Sequence, residues 1–303
     1  MSYSNESASP SWRVVVSSSA EIGERPVWDA ETSTLVWPDI LAGRMHRSVP
    51  SAEPGQEWLD TVVPLGVVVG AVALRDDGGL VAAVDSSVRF LDALGIDDAD
   101  SLAVDMPSGH RFNDGACDPA GRFLVGTGGP TPDGLLWSIA PGGACRVVLE
   151  GVTESNGLGW STDGGTMYYV DSSESAVRCY SYDLASGEVG PRQPDLVDLS
   201  DRPGVPDGLI VDALGHVWVP QWQGGELASY DQAGAVVTRW RVPVSQPTCA
   251  GFSGDRHDRL VLATSWEGMT DEQRAAEPWA GHLLAAGHVR VPGRAAFRFA
   301  TAQ

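Results

Sequence analysis

The stretch PDGLIVDALGHVWVPQW, residues 206–222, holds two short apolar runs around one turn. It opens on Asp207-Gly208, runs apolar through Leu209-Ile210-Val211, turns at Asp212-Ala213-Leu214-Gly215 and runs apolar again through Val217-Trp218-Val219. Two runs of strand length about one turn read as a β-hairpin. The same plan recurs in NDGACDPAGRFLVGTGG (113–129), SNGLGWSTDGGTMYYVDSS (155–173) and VGAVALRDDGGLVAAVDSS (69–87). GERPVWDAETSTLVWPDI (23–40) and PTCAGFSGDRHDRLVLATSW (247–266) fit it with longer turns. In Asp118-Pro119-Ala120-Gly121 the residues suit the first, second and fourth positions of a type I turn.

The hairpins begin near residues 24, 70, 113, 156, 207 and 248. A spacing of roughly 40 to 50 residues matches one four-stranded propeller blade. A third strand follows the hairpin, as in AVRCYSYD (176–183) and ELASYD (226–231), and a fourth leads onward, as in CRVVLEGV (145–152). WRVVVSS (12–18) precedes the first repeat and is expected to pair with the last blade, closing the ring. The expected fold is therefore all-β, a six-bladed β-propeller. It would form a single domain over residues 11–303, behind a polar, disordered N-terminal tail at residues 1–10. A β-sandwich of short strands is the alternative, but a sandwich does not need an equal period.

Composition narrows the partners. A formal charge of −20 argues against nucleic acid, whose phosphates need a basic surface, and against anionic membranes. A small-molecule partner is expected, with the chain a monomer or weak homo-oligomer. The excess acid serves solubility, and a smaller part of it concentrates cations near a site. The run VVPLGVVVGAVAL (62–74) is too short to span a bilayer and reads as buried strand plus turn. Residues 1–10 lack the basic and apolar parts of a signal peptide. The four cysteines form no CxxC and no Cys/His cluster, so a reduced, cytoplasmic protein is expected, without a zinc or redox motif. GxSxG, GxxxxGK[ST] and HExxH are all missing from the sequence.

In a propeller, equivalent positions of each blade meet at one height around the central channel. The repeat starts carry Glu24, Asn113, Asn156 and Asp207, with Gly70 and Thr248 in the other two blades. Taken singly, Asn156-Gly157 and Asp207-Gly208 are ordinary turn signals. In register they place oxygen-bearing side chains on one axis. Carboxylates packed together repel unless a cation neutralises them. Such oxygens suit a hard divalent ion, Ca²⁺ first, with Mg²⁺ or Mn²⁺ next; Zn²⁺ is less suited without His or Cys. His110, just before Arg111, is a candidate for the border of such a pocket. Trp222 and Trp266 follow strand ends and are candidates for its mouth.

GERPVW (23–28), RFNDGACDPAGRFLVGT (111–127), SNGLGWSTDGGTMYYVDS (155–172) and VPDGLIVDALGHVWV (205–219) resemble, in order, four motifs of one family. It is the family of regucalcin (senescence marker protein 30), gluconolactonases and luciferin-regenerating enzymes, and the resemblance covers nearly the whole chain. It implies a six-bladed propeller with one divalent metal in its channel. Carried over by position, the metal ligands would be Glu24, Asn156 and Asp207. Arg111 and Asn113 would contact substrate, with Asn113 near the metal. One loop departs from the family pattern. Many sugar-lactonase members carry Met and then acidic residues after Gly-Thr, whereas this chain reads GTGGPTPDGLLW (126–137), with Asp133 its one acid.

The expected activity is metal-dependent hydrolysis of a lactone or related ester, with a Lewis-acidic cation stabilising the developing oxyanion. Asp207 is the expected catalytic group, acting as general base on water or orienting it. Arg111 would fix substrate oxygens by charge-assisted hydrogen bonds. Two alternatives remain. In one the metal site serves another reaction, on a phosphotriester or in a biosynthetic tailoring step; in the other the propeller binds a metal or ligand without catalysis.

Overall fold

The computed structural model describes residues 9–53, 55–289 and 292–301. Six antiparallel sheets form the blades of a β-propeller. Their innermost strands are Val27–Asp29, Val69–Leu74, Arg111–Cys117, Ser155–Trp160, the split pair Val205–Pro206 and Ile210–Val211, and Pro247–Ser253. Within each blade the strands follow one another outward in chain order, except in the sixth. There the outermost strand is Arg13–Val16, which pairs with Leu283–His288 and so joins the two ends of the chain in one sheet. Of the tail expected at residues 1–10, residues 1–8 lie outside the described residues; Ser9 accepts a 2.8 Å hydrogen bond from the Arg241 amide.

The core lies between neighbouring blades. Phe112, Phe123 and Trp137 of the third blade pack on Val81 and Ala83 of the second. Trp218 and Trp240 of the fifth meet Phe252 and Leu260 of the sixth. Each such side chain contributes about 1.5–3 kcal/mol on burial. The run 62–74 is buried only in its second half. Leu59–Pro64 is the largely exposed outer strand of the first blade, and Val69–Leu74 the buried inner strand of the second.

The inner strands share one irregularity. In the third blade Phe112 faces Thr127 and Gly115 faces Val125, so three steps on the inner strand match two on its neighbour. The same extra residue occurs between Ser155 and Leu158, between Val69 and Ala71, and between Pro247 and Ala250. In the fifth blade it falls between Pro206 and Ile210, where the strand is broken. In the first it falls between Gly23, bridged to Asp39, and Val27, paired with Val36. A bulge locally re-aims the chain and its side chains. All six residues at the expected repeat starts sit in these bulges; Glu24, Asn113, Asn156 and Asp207 turn their side chains into the channel, whereas the Thr248 hydroxyl donates to the Gly23 carbonyl at 2.5 Å. At Gly70 a Cβ would lie 2.5 Å from Phe112 Cβ, so glycine is what lets the inner strands of the second and third blades approach there.

The other end of the channel is crossed by the C-terminal segment 292–301. It touches every blade by a hydrogen bond: Gly293 to His257, Pro292 to Ala213, Arg294 to Trp160, Ala300 to Gly121, Phe299 to Leu74 and Arg298 to Asp29.

Candidate active site

Glu24, Asn113, Asn156 and Asp207 line one cavity of about 270 Å³ at the bulged end of the channel. They come from four blades and are all at least nine-tenths buried. Arg111, Glu154, Glu267 and Trp222 line its more open side, and Ile22, Ile40 and Val205 give that side apolar surface. The five residues expected at the site are thus brought together.

A hydrogen-bond relay fixes the two amides. Arg111 Nη1 donates to Asn113 Oδ1. Asn113 Nδ2 donates to the Ser155 carbonyl at 2.9 Å and to Asn156 Oδ1 at 3.1 Å. Asn156 Nδ2 donates to Ser172 Oγ at 2.8 Å, and that hydroxyl gives its own proton to the Pro206 carbonyl at 2.6 Å. The carbonyls at both ends only accept, so both amide orientations are dictated by their partners. Asn156 Oδ1 keeps one lone pair free for another partner.

The carboxylates are arranged differently. Glu24 Oε1 accepts from the Arg25 amide at 3.0 Å and lies 2.9 Å from where a Gly208 Cβ would be, so Gly208 gives it room beside Asp207. Beneath them Arg25 pairs with Asp114, and its Nη1 also reaches the Leu209 carbonyl at 3.2 Å. Burial, and next the charge of Asp114, pushes the Glu24 carboxyl up to about 8. Burial, then Glu24 and Asp114, pushes Asp207 well above its ordinary range. Cys249, packed against Glu24, is held as a thiol by burial.

This donor set fits a hard divalent cation. Arg25 cancels one of the three buried carboxylates, Glu24, Asp114 and Asp207, and neither Glu24 nor Asp207 has an ion-pair partner among the described residues. Two buried carboxyl groups are left without a cation to hold them ionised. No three His, Cys, Asp or Glu side chains converge as a metal-holding group among the described residues. The set is completed only by amide oxygen, which suits Ca²⁺, Mg²⁺ or Mn²⁺ better than Zn²⁺.

Other expectations change. His110 does not border the cavity: its side chain is buried under the 129–134 loop, with Nε2 3.1 Å from the Thr131 carbonyl. Asp133 is exposed and accepts from the Thr131 hydroxyl at 2.6 Å. Trp222 lines the cavity, whereas Trp266 does not; its Nε1 donates to the Ser19 carbonyl and its ring lies under Arg274. Glu154, Ser172 and Glu267 escaped the sequence reading. Glu154 and Ser172 flank or follow the SNGLGW strand, next to Asn156 in the fold, and adjacency to that motif was the available signal. Burial raises the Glu154 carboxyl, partly offset by Arg111, whose Nη2 is 3.4 Å from Oε1.

Among the described residues no helix is long and apolar enough to cross a membrane, and the four cysteines are free. The chain is 34% identical over 290 residues to pentonolactonase XacC of Haloferax volcanii, covering 94% of this chain and 96% of that one. It is 31% identical to regucalcin of Xenopus laevis, covering 94% and 97%. A solved calcium-binding protein, regucalcin of Agrobacterium tumefaciens, superposes with a TM-score of 0.87 at 26% identity, over 97% of this chain and 99% of that one. Residues 22–266, which hold all five expected site residues, match the SMP-30/Gluconolactonase/LRE-like region, and the chain belongs to that family.

Proposed function

We propose that the protein is a divalent-metal-dependent lactonase acting in the cavity at the bulged end of the channel. The observation that carries this is the pair of buried carboxylates, Glu24 and Asp207, left without a protein cation beside oriented amides. Glu24, Asp207 and Asn156 Oδ1 would hold the cation, with Ca²⁺ as first choice. When bound, it supplies Lewis-acid stabilisation to a carbonyl oxygen that gains negative charge. That the relatives include a pentonolactonase supports a lactone as the bond broken.

The chain's own residues supply the rest. Asp207 takes a proton from the attacking water as the water oxygen bonds the lactone carbonyl carbon. The bond from that carbon to the ring oxygen then breaks, and the proton passes to the departing oxygen, giving a hydroxy acid. Arg111 orients substrate oxygens, and Asn113 is held rigid between Arg111 and Asn156. Rigid donors cost little reorganisation as charge develops.

The test is turnover of lactone, aryl-ester and phosphotriester panels by the Ca²⁺-loaded protein, its chelated form and Asp207→Ala. Lactone hydrolysis should lead the panel and vanish in both altered forms. Retained activity in either would overturn the mechanism. Leading turnover of a phosphotriester would move the same site to another reaction.

A further inference from the structure

The side of the cavity facing solvent carries a carboxylate placed with unusual care. Thr153 and Glu154 donate their amides to the Asp171 carboxylate at 3.0 and 3.1 Å, which fixes the backbone of Glu154. Its side chain then extends over Gly128, at the end of the strand Phe123–Gly128 on the neighbouring blade. A Cβ on Gly128 would lie 2.3 Å from Glu154 Oε1, so the carboxylate occupies the space a side chain there would fill. It ends 3.4 Å from Arg111 Nη2, inside the cavity. The loop that follows Gly128 adds no carboxylate of its own, since Asp133 is turned outward onto Thr131.

We propose that Glu154 and Arg111 form the subsite that selects an uncharged, polyhydroxylated substrate, with Gly128 as the residue that makes room for it. An acceptor and a donor at this separation match two neighbouring hydroxyls: one donates to Glu154 while the other accepts from Arg111. Charge sets the second half of the selection. Glu154 and Glu267 outnumber Arg111 on this side of the cavity, so an anionic group on the substrate is repelled. Trp222 lines the same cavity and adds aromatic surface for the carbon skeleton.

This rests on the lactonase reading for its kinetic readout but not for binding. The Ca²⁺-loaded protein, Glu154→Ala and Gly128→Ala are compared on glucono-1,5-lactone and on δ-valerolactone, the same ring without hydroxyls. Gly128 is not in a left-handed conformation, so alanine is allowed by its backbone. Binding of the unhydrolysed gluconolactam is measured by calorimetry, with Ca²⁺ affinity and Tm as controls of the fold. In both variants the ratio of kcat/KM for the hydroxylated over the bare lactone should fall about tenfold or more, and lactam affinity should fall alongside. Equal losses on both lactones, or lactam affinity like that of the starting protein, would overturn the subsite. So would a starting protein that does not bind the lactam. If neither lactone is turned over while lactam binding still responds to both substitutions, the hydrolytic reading fails and the subsite stands.

Discussion

The Arg25 guanidinium grips the Asp114 carboxylate at two points, Nε to Oδ1 and Nη2 to Oδ2, each at 2.5 Å. The pair crosses the channel from the first blade to the third and reaches the fourth and fifth through the Leu158 and Leu209 carbonyls. It separates the polar cavity from an apolar one bounded by the C-terminal segment, since Glu24 lines the first and Arg25 the second. It also sets the charge balance that leaves Glu24 and Asp207 for a cation. Replacing Arg25 with Met strands a fully buried carboxylate and should cost about 3–5 kcal/mol. Arg25→Met with Asp114→Leu should recover most of that in urea unfolding. If the double variant is as unstable as the single one, the carbonyl contacts of Arg25 matter and the ion pair does not.

Cation removal should make stability depend on pH in a defined direction. Glu24 is raised from 4.5 to about 8 in the cation-free fold. The folded chain then holds more protons than the unfolded one between those values, so stability is full below the lower and lost as pH rises through the upper. The Tm of chelated protein should therefore fall from acid to mildly alkaline pH. Cation binding must displace those protons, so at about pH 6 its calorimetric heat should change with the ionisation enthalpy of the buffer. A heat that is the same in all buffers would show that Glu24 and Asp207 do not hold the cation.

The blades and their order were legible because each is a local unit, readable from turn chemistry and apolar runs. SNGLGWSTDGGTMYY became strand, turn and strand as its residues suggest, with Gly164 at the turn. Asn156 and Asp207 were legible through their recurrence in register. What escaped depends on contact between blades. Arg25 and Asp114 stand in quoted motifs, yet nothing in the chain links positions 89 residues apart. The shared bulge was hidden too, because one extra residue in an inner strand is visible only against its partner. Glu154 owes its place to Gly128 of the neighbouring blade, a contact that no local pattern in the sequence encodes.

The C-terminal segment should behave as a strap on the ring. Phe299 is buried against Phe90 of the second blade, and Phe299→Ala should cost about 3–5 kcal/mol. Arg298 Nη2 bonds Asp29 Oδ1 of the first blade at 2.6 Å. Burial raises Asp29, but the Thr32 hydroxyl, Arg298 and the Glu31 amide outweigh it and hold the carboxyl below its ordinary 3.8. That stability is complete above the ordinary value and lost as pH falls through the lowered one. The destabilisation from Arg298→Ala should therefore shrink in acid. A loss of the same size at neutral and strongly acid pH would mean that Arg298 acts through its Arg75 carbonyl contact alone.

Ser172 tests whether the relay orients a ligand or merely fills the core. Its hydroxyl is the acceptor for Asn156 Nδ2 and a donor to the Pro206 carbonyl, one residue before Asp207. It thus joins two of the expected ligands across two blades without entering their number. Alanine leaves Asn156 Nδ2 and the carbonyl without these partners, at about 1–3 kcal/mol for each buried group left unsatisfied. The same loss frees the amide to rotate and point nitrogen at the cation. Outer partners of metal ligands typically hold about 10–100-fold in affinity. Ser172→Ala should therefore bind Ca²⁺ at least tenfold more weakly while still folding, as read by calorimetry beside a thermal melt. A lowered Tm with unchanged Ca²⁺ affinity would make Ser172 a packing residue and leave the orientation of Asn156 to Asn113.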